Sequence, residues 1–421
     1  MFKRLNIKGW RQFDEIDVNF HKNLTILTGA NGAGKTTILD ILSKSTGWEP
    51  QFVSSYDTNK KGTYQYINSL IKNIKRLFIK TCDNVNNTDD DCKLGELEYS
   101  SGNVADLILP SEINNGTYNL NLHNGEKVKG VYINSHRPNF PYKKVKAITT
   151  VVETREQIFN KYNEFNRTFI YDTFRNSDLL SATSLIKETL ASLAIFGYGN
   201  PSVQPNENIR RLFEGYIDIL KIVLPPKLGF RNIKIVIPEV IICTDTGEFP
   251  IDAVSGGISS IIDITWQIYM FADISESFVV LLDEPENHLH PELQKSFLGN
   301  LIKAFPNVQF IVATHNPFMI TSQKDSNVYV LDYNDKNKVY SYQLDYINKA
   351  GTSNSILRDV LGIDSSMPNW AEETLKSIIE KYSKRDFNED NLKNMRDELS
   401  EIGLGEYIPS TIAHIAQGDD K

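Results

Sequence analysis

The chain has 421 residues, enough for roughly two or three domains with ample core, and its 45 Lys and Arg against 53 Asp and Glu give a formal net charge of −8. That balance excludes a global basic footprint for nucleic acid, and the three cysteines, Cys82, Cys92 and Cys243, fit no metal spacing and suit a reducing compartment. No run approaches the roughly 18 apolar residues of a membrane span, and Lys3 and Arg4 precede a short mixed segment, not a leader's apolar stretch, so a cytoplasmic location without membrane contact is expected.

Lys3 to Ile7 and Ile16 to Phe20 read as strands. The apolar run Leu24 to Thr28 then leads into Gly29-Ala30-Asn31-Gly32-Ala33-Gly34-Lys35-Thr36-Thr37, a complete G-x-x-x-x-G-K-[ST] phosphate loop, and the helix-like run Ile38 to Ser43 follows. Glycines let backbone N–H groups curl round phosphates, Lys35 can reach the β- and γ-phosphates, and Thr36 can hold Mg²⁺. The helix N-terminus adds a favourable dipole for the anion.

Residues 61–133 hold short β-like runs, such as Leu94 to Tyr99, Tyr118 to Leu122 and Gly130 to Ile133, split by Asn/Asp/Gly turns. Asn84 to Asp91 reads as a polar acidic loop, and the basic runs Lys72 to Lys80 and Lys143 to Lys146 read as solvated faces. Arg155 to Phe165, Ser184 to Phe196 and Asn208 to Val223 read as helices without sustained heptads, hence a compact lobe and not a long coil. Ile233 to Cys243 resumes strand character.

Val254-Ser255-Gly256-Gly257-Ile258 precedes the helix-like segment Ser259 to Phe271. Ser255 is a candidate N-cap, and two glycines allow close backbone approach to a ligand. Trp266, Tyr269 and Phe271 read as core aromatics, with base stacking as the less economical alternative. Phe278 to Leu282 is an unbroken apolar run, as in a strand buried on both faces, and it ends in Asp283-Glu284. Acids at the end of a buried strand need a cation or polar partners, which places Asp283 beside Mg²⁺ and Glu284 beside an attacking water. Val308 to Thr314 is a second such strand and ends in His315, where an imidazole can contact the γ-phosphate. His288 and His290 with Glu284 and Glu286 superficially offer metal ligands, but the same residues form the string that follows the acidic pair.

Together these parts resemble the ABC-type ATPases of the RecF, Rad50 and OLD branch, AAA-family ATP-binding proteins. The resemblance rests on Gly29 to Thr37, on Ser255-Gly256-Gly257 lying 28 residues before Asp283 (283 − 255), on Asp283-Glu284-Pro285-Glu286-Asn287-His288-Leu289-His290-Pro291 and on Thr314-His315-Asn316-Pro317. It implies an α/β fold: an ABC-type P-loop ATPase head with an antiparallel β lobe, an inserted helical lobe and a helical C-terminal tail. It also implies ATP and Mg²⁺ as ligands, with Ser255, Gly256 and Gly257 closing over the γ-phosphate held by a partner protomer. Arg11, in the opening turn Gly9 to Phe13, would lie near the nucleotide. The domains expected are 1–149 with the phosphate loop, 150–229 as helical insertion, 230–345 with the signature, acidic pair and His315, and 346–421 as tail. No clear glutamine stands in the loop that often contacts Mg²⁺; Asn134 to Tyr142 offers His136 and Arg137 there, either as nucleotide contacts or as an exposed basic turn.

Beyond His315, Val328 to Leu331 and Lys338 to Tyr342 complete the sheet, and Ser353 to Leu361, Asn369 to Lys384 and Asp390 to Ile402 read as helices. Leu392, Met395 and Leu399 form one narrow stripe on the last, for its own domain or for a partner. No nuclease set of acidic motifs follows, and Asp332 and Asp335 are too isolated to serve as one. The overall pattern is similar to the ATPase subunits of bacterial anti-phage systems of the PARIS or Septu type. That likeness implies a homo-oligomer with ATP sandwiched between protomers, a phage-derived trigger, and control of a separate toxic effector such as a nuclease, with DNA bound weakly or not at all by this chain. A RecF-like ATPase acting directly on DNA is the alternative; the Asn287 to His290 loop argues against a transporter ATPase.

Overall fold

The structure, a computed structural model, describes residues 1–53, 56–58, 64–66, 92–110, 117–137, 140–151, 153–171, 181–345, 356, 369–383, 389–409 and 412. The basic run Lys72 to Lys80, the acidic loop Asn84 to Asp91, Cys82, and the expected helix Ser353 to Leu361 apart from Ile356 lie outside the described residues.

One 11-stranded sheet organises the residues up to Ser353. Its order is Asn121–His123, Val104–Leu109, Cys92–Tyr99, Phe2–Lys8, Phe13–Asn19, Val339–Gln343, Asn327–Tyr333, Leu24–Gly29, Val308–Ala313, Phe278–Asp283 and Gly130–Ile133. The first five are mutually antiparallel and form a β lobe. The last five, from Asn327–Tyr333 to Gly130–Ile133, are mutually parallel. This is the mixed α/β architecture of the P-loop ATPase expectation, with helical insertion and tail. Val104–Leu109 was not singled out from the sequence, nor was Gly247–Pro250, which closes a separate antiparallel sheet with Phe230–Val236 and Glu239–Thr244.

Burial explains the two halves. Leu24–Gly29, Phe278–Asp283 and Val308–Ala313 are buried at all six positions each, so both faces are covered and the sequence reads as unbroken apolar runs. Phe2–Lys8 and Phe13–Asn19 alternate buried and exposed residues, as a sheet with one wet face requires. Ile38, Leu39, Ile41 and Leu42 of the helix Lys35–Ser43 complete the core beneath the parallel half.

The inserted helices are Arg155–Tyr171, Ala182–Tyr198 and Glu207–Val223. Ser181 and Ser184 form a capping box on the second, and Asn206 caps the third. The first and third pack on the helix Gly256–Phe271, whose Trp266 and Tyr269 are buried against Tyr216, and the second packs against those two inserted helices. Those aromatics are core, as expected. Among the described residues no helix is long and apolar enough to cross a membrane.

Residues 354–421 form a second compact unit. Ala371, Ile378 and Tyr382 of the helix Asn369–Ser383 meet Met395 and Leu399 of the helix Glu389–Glu401, with Leu392 partly buried at the edge. The stripe therefore packs inside its own unit.

Candidate nucleotide site

Parallel strands bind ligands beyond their carboxyl ends, and here the register gathers the chemistry at that edge. Asp283 stands opposite Ala313, Ala313 opposite Leu27, Gly29 opposite Leu331, and Ile133 opposite Leu282. The phosphate loop, the acidic pair and His315 follow these positions directly.

The loop needs its glycines. Gly29, Gly32 and Gly34 have φ of 133°, 82° and 97°. A Cβ on Gly29 would lie 2.1 Å from the Leu331 carbonyl oxygen, and one on Gly34 would lie 2.5 Å from the Phe13 ring. Asn31 and Gly32 are exposed at the crest, Lys35 is buried, and Thr37 is half-buried in the first helical turn. Lys35 Nζ donates to the Gly29 (2.9 Å) and Ala30 (3.2 Å) carbonyls. Burial pulls the Lys35 pKa down, and Glu284, Asp283 and Glu286 oppose that.

Thr36 Oγ1 lies 3.1 and 3.3 Å from the two Asp283 carboxylate oxygens. A hydroxyl and a carboxylate converging beside a phosphate loop are the hard oxygen donors Mg²⁺ takes, so these residues fit that ion. Burial, with Glu284 adding repulsion, pushes the Asp283 carboxyl up to about 6, against the Thr36 hydrogen bond and the charges of Lys35 and Arg137. A bound cation would reverse that shift.

Glu284 has φ of 44°, unusual for a side-chain-bearing residue, and its carboxylate lies 2.8 Å from His315 Nδ1. His315 is 57% exposed, open to a ligand. Glu286 is buried and accepts a hydrogen bond from the Thr314 hydroxyl. Burial and the neighbouring Glu284 push its carboxyl well above the usual carboxylate range. Among the described residues, Glu284, Glu286 and His315 form a further group whose potential ligand atoms lie within 4.8 Å of one another. His290 instead caps the helix Pro291–Ala304, and His288 takes a left-handed turn at φ 72°.

Ser255 caps the helix Gly256–Phe271 by accepting from Ile258 N, and Ser255 and Gly256 are exposed. A Cβ on Gly257 would meet the His288 carbonyl at 2.9 Å, so the signature turn lies against the loop after the acidic pair. Its outer face is open, as a surface offered to another molecule would be. Arg11, at φ 53°, donates to the Val53 carbonyl at 3.2 Å and stacks over Trp10 and Phe52. Its charge also reaches Asp40.

One residue of the site carries no motif mark in the sequence. Asp40, one turn after Thr36 on the same helix face, is pushed up to about 6 by burial, hydrogen-bonds Tyr132 and faces Asp283 electrostatically. The i, i+4 spacing from Thr36 could have marked it. Arg137 is not an exposed basic turn: its guanidinium is half-buried and bonded to the acidic loop's carbonyls and to Ser260. His136 is exposed beside Ser135.

A phosphate loop, an Mg²⁺-type oxygen pair and an acid–imidazole pair at one end of a parallel sheet define a P-loop ATPase, and the profile of the AAA ATPase domain family matches residues 1–45 and 44–320; the chain belongs to that family. Among individual proteins it is similar to the Septu protein PtuA of Bacillus thuringiensis, 23% identical over 420 residues covering 92% of this chain and 91% of that one. It is also similar to the retron Vc95 probable ATPase of Vibrio cholerae, 24% identical over 446 residues (90% and 82% covered). The retron Ec83 probable ATPase of Escherichia coli is 22% identical over 398 residues (79% and 72%). Among solved structures, the SMC head domain from Thermotoga maritima aligns at a TM-score of 0.42 and 14% identity, over 82% of this chain and 99% of that one.

Proposed function

We infer that the chain is an ATP-hydrolysing switch subunit of an anti-phage defence system, which pairs head to tail on ATP and thereby controls a separate toxic effector. The observation that carries the ATPase reading is the convergence of Lys35, the Thr36–Asp283 pair and the Glu284–His315 pair at the ends of adjacent parallel strands. Gly29 to Thr37 cradle the triphosphate with backbone N–H groups, and Lys35 turns from its own loop's carbonyls to the phosphates. Thr36 and Asp283 hold Mg²⁺, which when bound neutralises phosphate charge. Glu284 orients and deprotonates the attacking water, and His315 touches the γ-phosphate. Ser255, Gly256 and Gly257 complete the partner's site, which the open face of that turn supports. Arg11 flanks the nucleotide. Phosphoryl transfer is then mainly positioning and charge neutralisation.

The defence role is supported by the similarity to Septu PtuA and the retron ATPases over most of the chain. By that likeness a phage-derived trigger sets the switch, and a neighbouring protein, probed first as a nuclease, delivers the toxicity. The test is steady-state hydrolysis by the purified chain beside Lys35→Ala, with light scattering of Glu284→Gln plus and minus MgATP. Hydrolysis lost in Lys35→Ala, together with ATP-dependent pairing of Glu284→Gln, is the expected result. Equal hydrolysis by Lys35→Ala overturns the site.

A further inference from the structure

Arg137 follows the strand Gly130–Ile133, whose last residue stands opposite Leu282, one position before Asp283. The guanidinium reaches two segments far apart in sequence. One Nη donates to the carbonyls of Glu284 (3.2 Å), Pro285 (3.3 Å) and Asn287 (3.3 Å), and Nε donates to Ser260 Oγ at 2.9 Å. The other Nη faces the Asn134 carbonyl at 3.5 Å. Asn287 Nδ2 adds a bond to the Ser135 carbonyl at 3.3 Å, so the same strand end holds the acidic loop twice. The loop folds back on itself through Asn287 N to Glu284 O (3.3 Å) and Leu289 N to Glu286 O (2.8 Å). The fixed fork of a guanidinium suits several acceptors lying in different directions. Glu284 has the left-handed backbone that such a fold requires.

Ser260 belongs to the helix that begins at the signature turn, and Gly257 already touches His288 of the acidic loop. One half-buried cation thus joins the residue proposed to act on a protomer's own ATP to the turn proposed to act on its partner's.

We propose that Arg137 is a positioning residue that fixes the Glu284 backbone and ties it to the signature helix, so that the two composite sites of a pair are coupled through each protomer. This rests on the ATPase reading above. Lysine keeps the charge but cannot span acceptors in two directions. Misplacing a reacting group by about an ångström costs on the order of 10²-fold in rate.

The test measures MgATP turnover, ATP affinity with a fluorescent ATP analogue, and amide hydrogen exchange in Arg137→Lys, Arg137→Ala and Ser260→Ala. Arg137→Lys is expected to lower kcat by about 10–100-fold with ATP affinity within about threefold of parent. Amides of 284–289 and 255–260 should exchange faster, with Leu24–Gly29 unchanged. Ethylguanidinium should partly restore turnover to Arg137→Ala. Ser260→Ala, a mild change that keeps the acidic loop's bonds, should speed exchange at 255–260 alone and weaken ATP-driven pairing in the Glu284→Gln background. Parental exchange at 284–289 in Arg137→Lys overturns the proposal, as does a kcat loss matched by equal loss of affinity and of melting temperature. If the parent itself does not hydrolyse ATP, the functional reading falls instead, and the exchange data still decide whether Arg137 holds the loop to the signature helix.

Discussion

His315 Nδ1 lies 2.8 Å from the Glu284 carboxylate, although the two side chains leave from the ends of different strands. The parallel register makes this meeting obligatory: Asp283 pairs with Ala313, so the residues just beyond both ends rise side by side. Glu284 N also donates to the Ala313 carbonyl at 2.9 Å, which pins the acid's backbone to the strand that carries the histidine. The imidazole can therefore aim the carboxylate and face a ligand with its exposed edge.

Glu284→Gln is expected to bind ATP at near-parental affinity and to lose about 10²–10⁴ in kcat. His315→Ala should lose about tenfold or more, and the double variant should be scarcely worse than Glu284→Gln, because residues acting as one unit are non-additive. Full additivity of the two losses, read from single-turnover rates, would separate the roles assigned to the pair.

What the sequence made legible here is chemistry placed at element ends. The phosphate loop, Asp283-Glu284 and His315 each follow an apolar run, and a short polar string after a buried strand is conspicuous in one dimension. Arg137, Asp40 and Tyr132 were not legible in that way. Arg137 finds its acceptors 123 to 150 residues away, and nothing local distinguishes it from a solvated arginine. Sheet order was hidden for the same reason: Val339–Gln343 enters beside Phe13–Asn19 by a long-range parallel pairing that no turn residue announces. The stripe of Leu392, Met395 and Leu399 was legible as a stripe, but only packing could say that its partner is the helix Asn369–Ser383.

Gly29→Ala tests the close approach of two strands. The added methyl would meet a backbone carbonyl at 2.1 Å, at a φ of 133° that side chains avoid. Gly47→Ala shares a positive φ of 91° but has nothing within 4 Å. Denaturant unfolding should show Gly29→Ala destabilised by upwards of about 3 kcal/mol and Gly47→Ala by about 1 kcal/mol. Equal losses would mean that the strand contact yields.

Asp263 gives the signature helix a pH dependence. It is fully buried, takes a hydrogen bond from the Tyr162 hydroxyl and another from Gln267 Nε2 at 3.0 Å, and burial pushes its carboxyl up to about 6 from 3.8. A raised acid binds its proton more tightly in the folded chain. Its stabilisation is therefore full below about pH 4 and is lost as pH rises through about 6. Asp263→Asn should gain on the parent by about 3 kcal/mol between pH 4 and pH 7 and stay level above that. A stability difference independent of pH in matched urea titrations would remove Asp263 as the cause.

Net charge of −8 predicts weak, salt-sensitive, non-specific DNA binding by this chain alone. Fluorescence titration with duplex DNA near physiological salt should give no better than micromolar affinity. Nanomolar affinity there would favour the RecF-like alternative over control of a separate effector.

Mixing two inactive variants tests the shared site most directly. In a head-to-tail pair each ATP lies between Lys35 of one protomer and Ser255 to Gly257 of the other. Ser255→Arg places a long side chain on the open signature turn and removes the cap on Ile258 N, which costs about 1 kcal/mol of helix stability. The phosphate loop is untouched, so ATP binding to a single protomer should persist while pairing and turnover are lost. Lys35→Ala keeps its signature but binds no ATP. A mixed pair of the two combines both lesions in one site and leaves the other site whole. Equimolar mixing should then return about a quarter of parental turnover, since half of the pairs are mixed and each has one working site of two. Turnover in either variant alone, or none on mixing while both remain folded and Ser255→Arg still binds ATP, would show that Ser255 does not serve the partner's ATP.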